Sequence, residues 1–299
     1  MKKRVFMGLF ILSSLALYTK PAVANYELTV ASYNITHGNK HDWNTRKPGV
    51  CDVMEQLGAD VYCLQEVIKE NEQFDSIKKT LPGYGYVGKS RNSQIEGISA
   101  WHRFVSLFAQ DEYCPIFYNK KTIKKLATKT AGINGKGWRS GTLPRIYTAA
   151  LLRQKATAID FYAYATHFDN ESEDIRIMQA QLTLDDINRD CGDKAVVLTG
   201  DFNTTYTGKI RELFTNAGFI HARDAAAKTE GPQETHEKID KKTNERIAFE
   251  CDHILIRPAK AFKVDLYKTS DTMDRPTKDN PIRKTSDHNP VSMTFSLNQ

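Results

Sequence analysis

Ala195-Val196-Val197-Leu198-Thr199-Gly200-Asp201-Phe202-Asn203 is the stretch from which the rest of the chain can be read. Its four leading apolar residues predict a short strand buried on both faces. The strand opens onto a tight turn that carries an acid and an amide. Two apart on an extended segment, Asp201 and Asn203 are expected to point the same way. The same pattern recurs. Residues 27–34 read as a strand ending in Tyr33-Asn34 and a polar loop. Residues 61–64 read as a buried strand delivering Gln65-Glu66. Residues 158–167 end in His167, residues 113–118 follow Asp111-Glu112, Asp252 opens a strand over 252–256, and residues 290–295 follow Ser286-Asp287-His288. Further strands are expected over 84–88, 146–152 and 262–266.

Helical spacing appears over 46–57, with Val50, Val53, Met54 and Leu57 on one side before Gly58. Residues 69–81 are expected to be helical. So are residues 173–188, with Ile175, Met178, Ala180, Leu182 and Ile187 as the buried side. Residues 89–111 and the glycine-rich 132–142 read as irregular, and 225–247 as an exposed loop or hairpin. No repeat or interdomain linker interrupts the chain. Many strands with interspersed helices predict an α/β sandwich whose polar clusters gather where strands end.

The chain has 299 residues, 40% hydrophobic and 10% aromatic, which excludes a disordered polypeptide. Its 17 Gly and 10 Pro exclude a collagen-like one. Residues 1–24 have the form of a secretory signal peptide: Lys2, Lys3 and Arg4, a 14-residue largely apolar run over 5–18, then Ala22-Val23-Ala24. Cleavage after Ala24 would leave a domain over 25–299 and a secreted or periplasmic protein. The net charge of +6 then shrinks, because 38 basic residues face 36 acidic ones after residue 24. Export permits disulfides. Cys63, in an apolar run, reads as a buried thiol. Cys51, Cys114, Cys191 and Cys251 are available for two bridges, with no pairing assigned. No Cys/His spacing suggests zinc.

Taken singly, an Asn, Glu or His after a strand is a turn residue or a solvated group. In order, however, Asn34, Gln65-Glu66, Gly200-Asp201-Phe202-Asn203, Asp252 and Ser286-Asp287-His288-Asn289-Pro290 form one pattern. On it the chain resembles the endonuclease/exonuclease/phosphatase superfamily, which includes deoxyribonuclease I. The resemblance implies a four-layered α/β sandwich, two packed mixed β-sheets flanked by helices. It implies a metal-dependent phosphodiesterase, with Glu66 and Asp287 at a divalent ion. Mg²⁺ is the first candidate, with Mn²⁺ or Ca²⁺ behind it, because hard ions take oxygen ligands. Asn34, Asn203 and Arg145 would contact phosphate, Asn34 alternatively holding Glu66 or adding its carbonyl oxygen to the metal, and Asp201 would act on the attacking water or the metal. His288 would pair with Asp252 and His167 with Glu112, placing a His–carboxylate pair on each side of the scissile phosphate.

Two departures matter. Many relatives have an acid two positions after the first Asn, where this chain has Thr36. His37 reads as a loop residue near the site. The expected substrate is nucleic acid, cut by a monomer. Basic segments favour it: Lys120-Lys121, Lys124-Lys125, Lys136 with Arg139, Lys241-Lys242 and Arg275 through Lys284. Trp101 and Trp138 would serve as stacking surfaces. The alternative is a lipid phosphoester, as in sphingomyelinases or phosphoinositide phosphatases, which Cys251-Asp252-His253-Ile254-Leu255 faintly echoes. A non-catalytic binding module is the third reading, opposed by the intact set of acids and histidines.

Overall fold

The computed structural model describes residues 26–38, 40–94, 110–134, 143–239, 243, 245–273 and 284–298. Two large mixed sheets carry the chain. One has seven strands in the order Lys228–Glu230, Phe262–Thr269, Val291–Leu297, Leu28–Asn34, Val61–Gln65, Ile116–Asn119, Tyr84–Val87. The other has six, in the order Ile220–His221, Asp252–Arg257, Ala195–Asp201, Asp160–His167, Ile146–Gln154, Ile123–Gly132.

Alternation along the strands builds the layers. Val30, Val61, Cys63 and Ile116 of the first sheet meet Ala163, Val197 and Ile254 of the second in one dry core. Their neighbours point outward. Ala31, Tyr33, Tyr62 and Leu64 pack against helices Lys40–Leu57 and Gln73–Thr80. Val196, Leu198 and Leu255 pack against helices Glu173–Cys191 and Gly208–Asn216. The central strands are thus covered on both faces, and each buried Val, Ile or Leu contributes about 1.5–3 kcal/mol. The result is the four-layered sandwich expected.

Several elements differ from expectation. The first helix starts at Lys40, not 46, and contains Pro48. A proline in a helix interior costs about 3 kcal/mol, offset here by Trp43, Val50 and Met54, all fully buried. The strand over 113–118 is broken at Cys114-Pro115 into Glu112–Tyr113 and Ile116–Asn119. Strand Ile123–Gly132 was not foreseen. It is a lysine-bearing sheet edge paired with one neighbour only, so only one face and one side are constrained. The buried side of Glu173–Cys191 is Gln179, Ala180, Thr183, Leu184, Ile187 and Cys191; Ile175, Met178 and Leu182 are half-buried. The two bridges open to Cys51, Cys114, Cys191 and Cys251 are not formed: all five cysteines are free, and Cys114, Cys191 and Cys251 are buried like Cys63.

Candidate active site

Parallel neighbours end together, and that brings the chemistry to one edge of the sandwich. Asn34 pairs in register with Gln65, and His167 with Asp201, while antiparallel Asp252 lies opposite Asp201. Gly200 is required here because a Cβ would collide with the carbonyl oxygen of Thr166. Three residues just beyond the strands adopt left-handed backbone without being glycine: Thr36 (φ 60°), Glu66 (φ 60°) and Asn203 (φ 53°). Such conformations cost on the order of 1–3 kcal/mol and persist where surrounding bonds over-determine them. Arg46 supplies some of those bonds. Fully buried, it donates to Ile35 O at 2.7 Å and Thr36 O at 2.8 Å, and pairs with Asp42.

The left-handed turn changes how Asn203 arrives. Strand alternation does not align it with Asp201. Its backbone N–H donates to Asp201 Oδ1 at 2.8 Å, and its side-chain amide donates to Phe168 O at 2.9 Å. It still lines the same cavity, of about 570 Å³, as Glu66, Glu112, Arg145, His167, Asp201, Asp287 and His288. Asn34 stands behind that cavity. Its amide spans Glu66 Oε1 at 2.9 Å and Asp201 Oδ2 at 3.0 Å, and its carbonyl accepts from Thr36 N. Of the three roles expected for Asn34, the geometry supplies the hold on Glu66: both amide protons lie on carboxylates, and the carbonyl oxygen accepts from Thr36 N.

Asp201 Oδ2 lies between two imidazoles, 3.6 Å from His167 Nε2 and 3.7 Å from His288 Nε2. Each ring's Nδ1 is 2.8 Å from a carboxylate, Glu112 for His167 and Asp252 for His288. Those partners assign the proton to Nδ1. Arg145 Nη1 also lies 2.9 Å from His167 Nδ1 and 3.6 Å from Glu112 Oε1. One Nδ1 cannot both donate to Glu112 and accept from Arg145. We take the bond to Glu112, which leaves the guanidinium as a charge beside that carboxylate.

The electrostatics follow from this packing. Burial alone would raise Glu66, but the hydrogen bond from His37 and the charge of His167 hold it well below the usual carboxylate range. Burial likewise opposes ionisation of Asp201, and His288 and His167 outweigh it, so Asp201 is lowered. Glu112 is pulled down to about 2 against burial by His167 and Arg91. Burial disfavours a charged His288, yet Asp252 raises it to about 10. His37, exposed on the rim, is raised to about 9 by its bond to Glu66.

Glu66, Asp201 and Asp287 all line the cavity; ligand atoms of Glu66, His167 and Asp201 converge within 4.8 Å, as do those of His236, Asp287 and His288. Glu66 and Asp201, both held in the ionised form and bridged by the Asn34 amide, offer the oxygen ligands a hard divalent cation takes, and the part-exposed Asp287 is a third carboxylate lining the cavity. Thr36, where relatives carry an acid, instead bonds Asp287 through its hydroxyl, to Oδ1 and to N–H.

Sequence reasoning missed four contributors. His37 is on Glu66 and not a bystander. Arg91, in the segment read as irregular, donates to Glu112 Oε2 at 2.7 Å. Arg46 reads from its position only as a helical residue. His236 lies in the hairpin His236–Ile239/Arg246–Phe249 and lines the cavity. The basic segments give less than expected. Lys120, Lys121, Lys124 and Lys125 are exposed at the end of strand Ile123–Gly132 remote from Arg145, roughly 25–30 Å along the strand. Trp101, Trp138, Lys136, Arg139, Lys241, Lys242 and Arg275 lie outside the described residues, as do residues 1–24. No helix among the described residues is long and apolar enough to cross a membrane.

A sandwich of two mixed sheets, with paired imidazoles and carboxylates at one edge, defines the class of phosphate-ester hydrolases. The chain belongs to the Endonuclease/Exonuclease/phosphatase family, whose model matches residues 31–288. A family protein from Bacteroides vulgatus superposes with TM-score 0.72 at 27% identity, over 91% of this chain and 100% of its own. A mannosyl-6-phosphatase from Bacteroides thetaiotaomicron VPI-5482 shares the fold with TM-score 0.72 at 23% identity, over 91% and 100% of the two chains. TDP2 from D. rerio, complexed with single strand DNA product, shares it with TM-score 0.64 at 18% identity, over 90% and 99%. Uncharacterized protein L388 of Acanthamoeba polyphaga mimivirus is 24% identical over 170 residues, 55% of this chain and 60% of its own length.

Proposed function

We propose that the protein is a secreted, divalent-metal-dependent phosphodiesterase that cleaves nucleic acid, DNA first, as a monomer. The observation that carries this reading is Asp201 Oδ2 at 3.6 and 3.7 Å from two imidazole Nε2 atoms, each ring oriented by its own carboxylate. A diester has an attacked side and a leaving side, and a pair on each suits in-line displacement. Asp201, kept ionised, orients the water and takes its proton. His288, protonated at neutral pH, donates to the leaving oxygen, and His167, oriented by Glu112, helps activate the water on the opposite side. Arg145 and Asn203 hold the phosphate. Glu66 and Asp287 would hold the cation, Mg²⁺ by preference, which supplies positive charge to the phosphoryl oxygens when bound.

The test is supercoiled plasmid incubated with the protein and with His288→Ala, in Mg²⁺ or in EDTA. Metal-dependent nicking, absent in the variant, is expected. An intact plasmid sinks the nuclease reading, and phosphate or phosphocholine release from phosphoinositides and sphingomyelin would then support the lipid alternative. Export is tested separately: the protein recovered outside the cytoplasm should begin at Asn25.

A further inference from the structure

We infer that His236 is a positioning residue for His288, an inference that rests on His288 being the imidazole that works on the phosphoester. The two rings lie face to face, centroids 4.2 Å apart with 18° between planes. His236 Nδ1 lies 2.9 Å from Asp287 O, so Nδ1–H donates to that carbonyl. An isolated antiparallel bridge joins His236 to His288.

The residue before it makes the same junction from the other side. Thr235 O accepts from Asn289 N at 2.7 Å. Thr235 Oγ1 accepts from Cys251 N at 2.9 Å and Asp252 N at 3.0 Å. Residues 235 and 236 are therefore pinned to the chain on both sides of the His288–Asp252 pair, although they lie in the hairpin segment that reads as exposed in sequence.

The physical need is specific. The Cβ–Cγ bond and one hydrogen bond to Asp252 hold the His288 ring along one edge and leave it able to tilt about that edge. Nε2 must nevertheless stay aimed at Asp201 Oδ2, 3.7 Å away. A flat partner on the ring face removes that tilt. Among the described residues no aromatic ring lies against His167, whose carboxylate is held by arginines instead.

The experiment compares His236→Ala and His236→Phe with the unaltered protein on bis(4-nitrophenyl) phosphate, a diester with no nucleic-acid features. Ala should lower kcat by about 10- to 100-fold with KM within about twofold, and Phe, which keeps the flat face, should restore most of the loss. Proton NMR gives a readout independent of turnover. The downfield Nδ1–H signal of His288 should broaden or vanish in His236→Ala and persist in His236→Phe. An unaltered kcat and signal in the Ala protein overturns the inference. So does a Phe protein as impaired as Ala, which would mean that the nitrogen matters and not the ring face. If plasmid stays intact while the nitrophenyl ester turns over, the nuclease reading fails and this inference is still tested.

Discussion

His167 rests on Glu112 and His288 on Asp252 at the same 2.8 Å, yet the two carboxylates live in different surroundings. Glu112 sits on a two-residue strand at the cavity wall and is shared among His167 at 2.8 Å and two guanidinium groups, Arg91 at 2.7 Å and Arg145 at 3.6 Å. Asp252 begins a six-residue strand inside the sheet and is fully buried. Among the described residues its only ion pair is His288, and its Oδ1 has no hydrogen-bond partner. One pair is held redundantly by charge, the other by backbone, a threonine and a stacked ring. Redundant charge tolerates loss of one member; a buried carboxylate with a single counter-charge does not.

The largest expected effect separates the rings themselves. His288→Ala should reduce kcat by about 10³-fold or more. It should also lower stability by about 3 kcal/mol, because Asp252 is left buried without its cation. His167→Ala should lose about 10²-fold in kcat with stability nearly unaltered, since Arg91 and Arg145 still balance Glu112. Steady-state kinetics and urea unfolding of both proteins decide the matter. Equal stability losses would break the contrast.

A smaller effect tests the redundancy directly. Arg91→Gln should cost only about 3- to 10-fold in kcat, because Arg145 remains beside Glu112. A loss as large as that of His167→Ala would show that Arg91 alone holds the pair in place.

The same contrast explains what the sequence reveals. The central strands are legible because burial on both faces leaves an apolar run, as at Val61–Leu64 and Ala195–Leu198. Much of the candidate site is legible because parallel strands end together at Asn34 and Gln65 and at His167 and Asp201, where polar residues follow apolar runs. Helix Gly208–Asn216 is not, since it needs only Ile210 and Phe214 buried. Glu112's partners are hard to see because Arg91 lies in a turn with no periodic signal. His236 is harder still: apart from Phe249 across its hairpin, its contacts are a carbonyl and a ring about fifty residues away. The free cysteines show the limit of counting, for Cys63, Cys114 and Cys251 are packing residues whose isolation depends on the fold.

The smallest effect concerns pH, and the two pairs act at opposite ends of the scale. Glu112 falls from its ordinary 4.5 to about 2 on folding. Its contribution is therefore full above about 4.5 and fades as pH drops toward 2. His288 rises from 6.5 to about 10. Its contribution is full below about 6.5 and fades as pH climbs toward 10. Urea midpoints measured in EDTA from pH 3 to 10 should show both limbs. Glu112→Gln should make the acid limb shallower, by on the order of 1–3 kcal/mol, without abolishing it, because Glu66 and Asp201 are lowered as well. His288→Asn should flatten the alkaline limb by a similar amount and leave the acid limb sloping. His37 adds little at high pH, being exposed on the rim. An alkaline limb that keeps its slope in His288→Asn would mean the imidazole carries no extra proton in the folded protein. The Asp252 pair would then not be a buried ion pair, and the difference in kind between the two pairs would disappear.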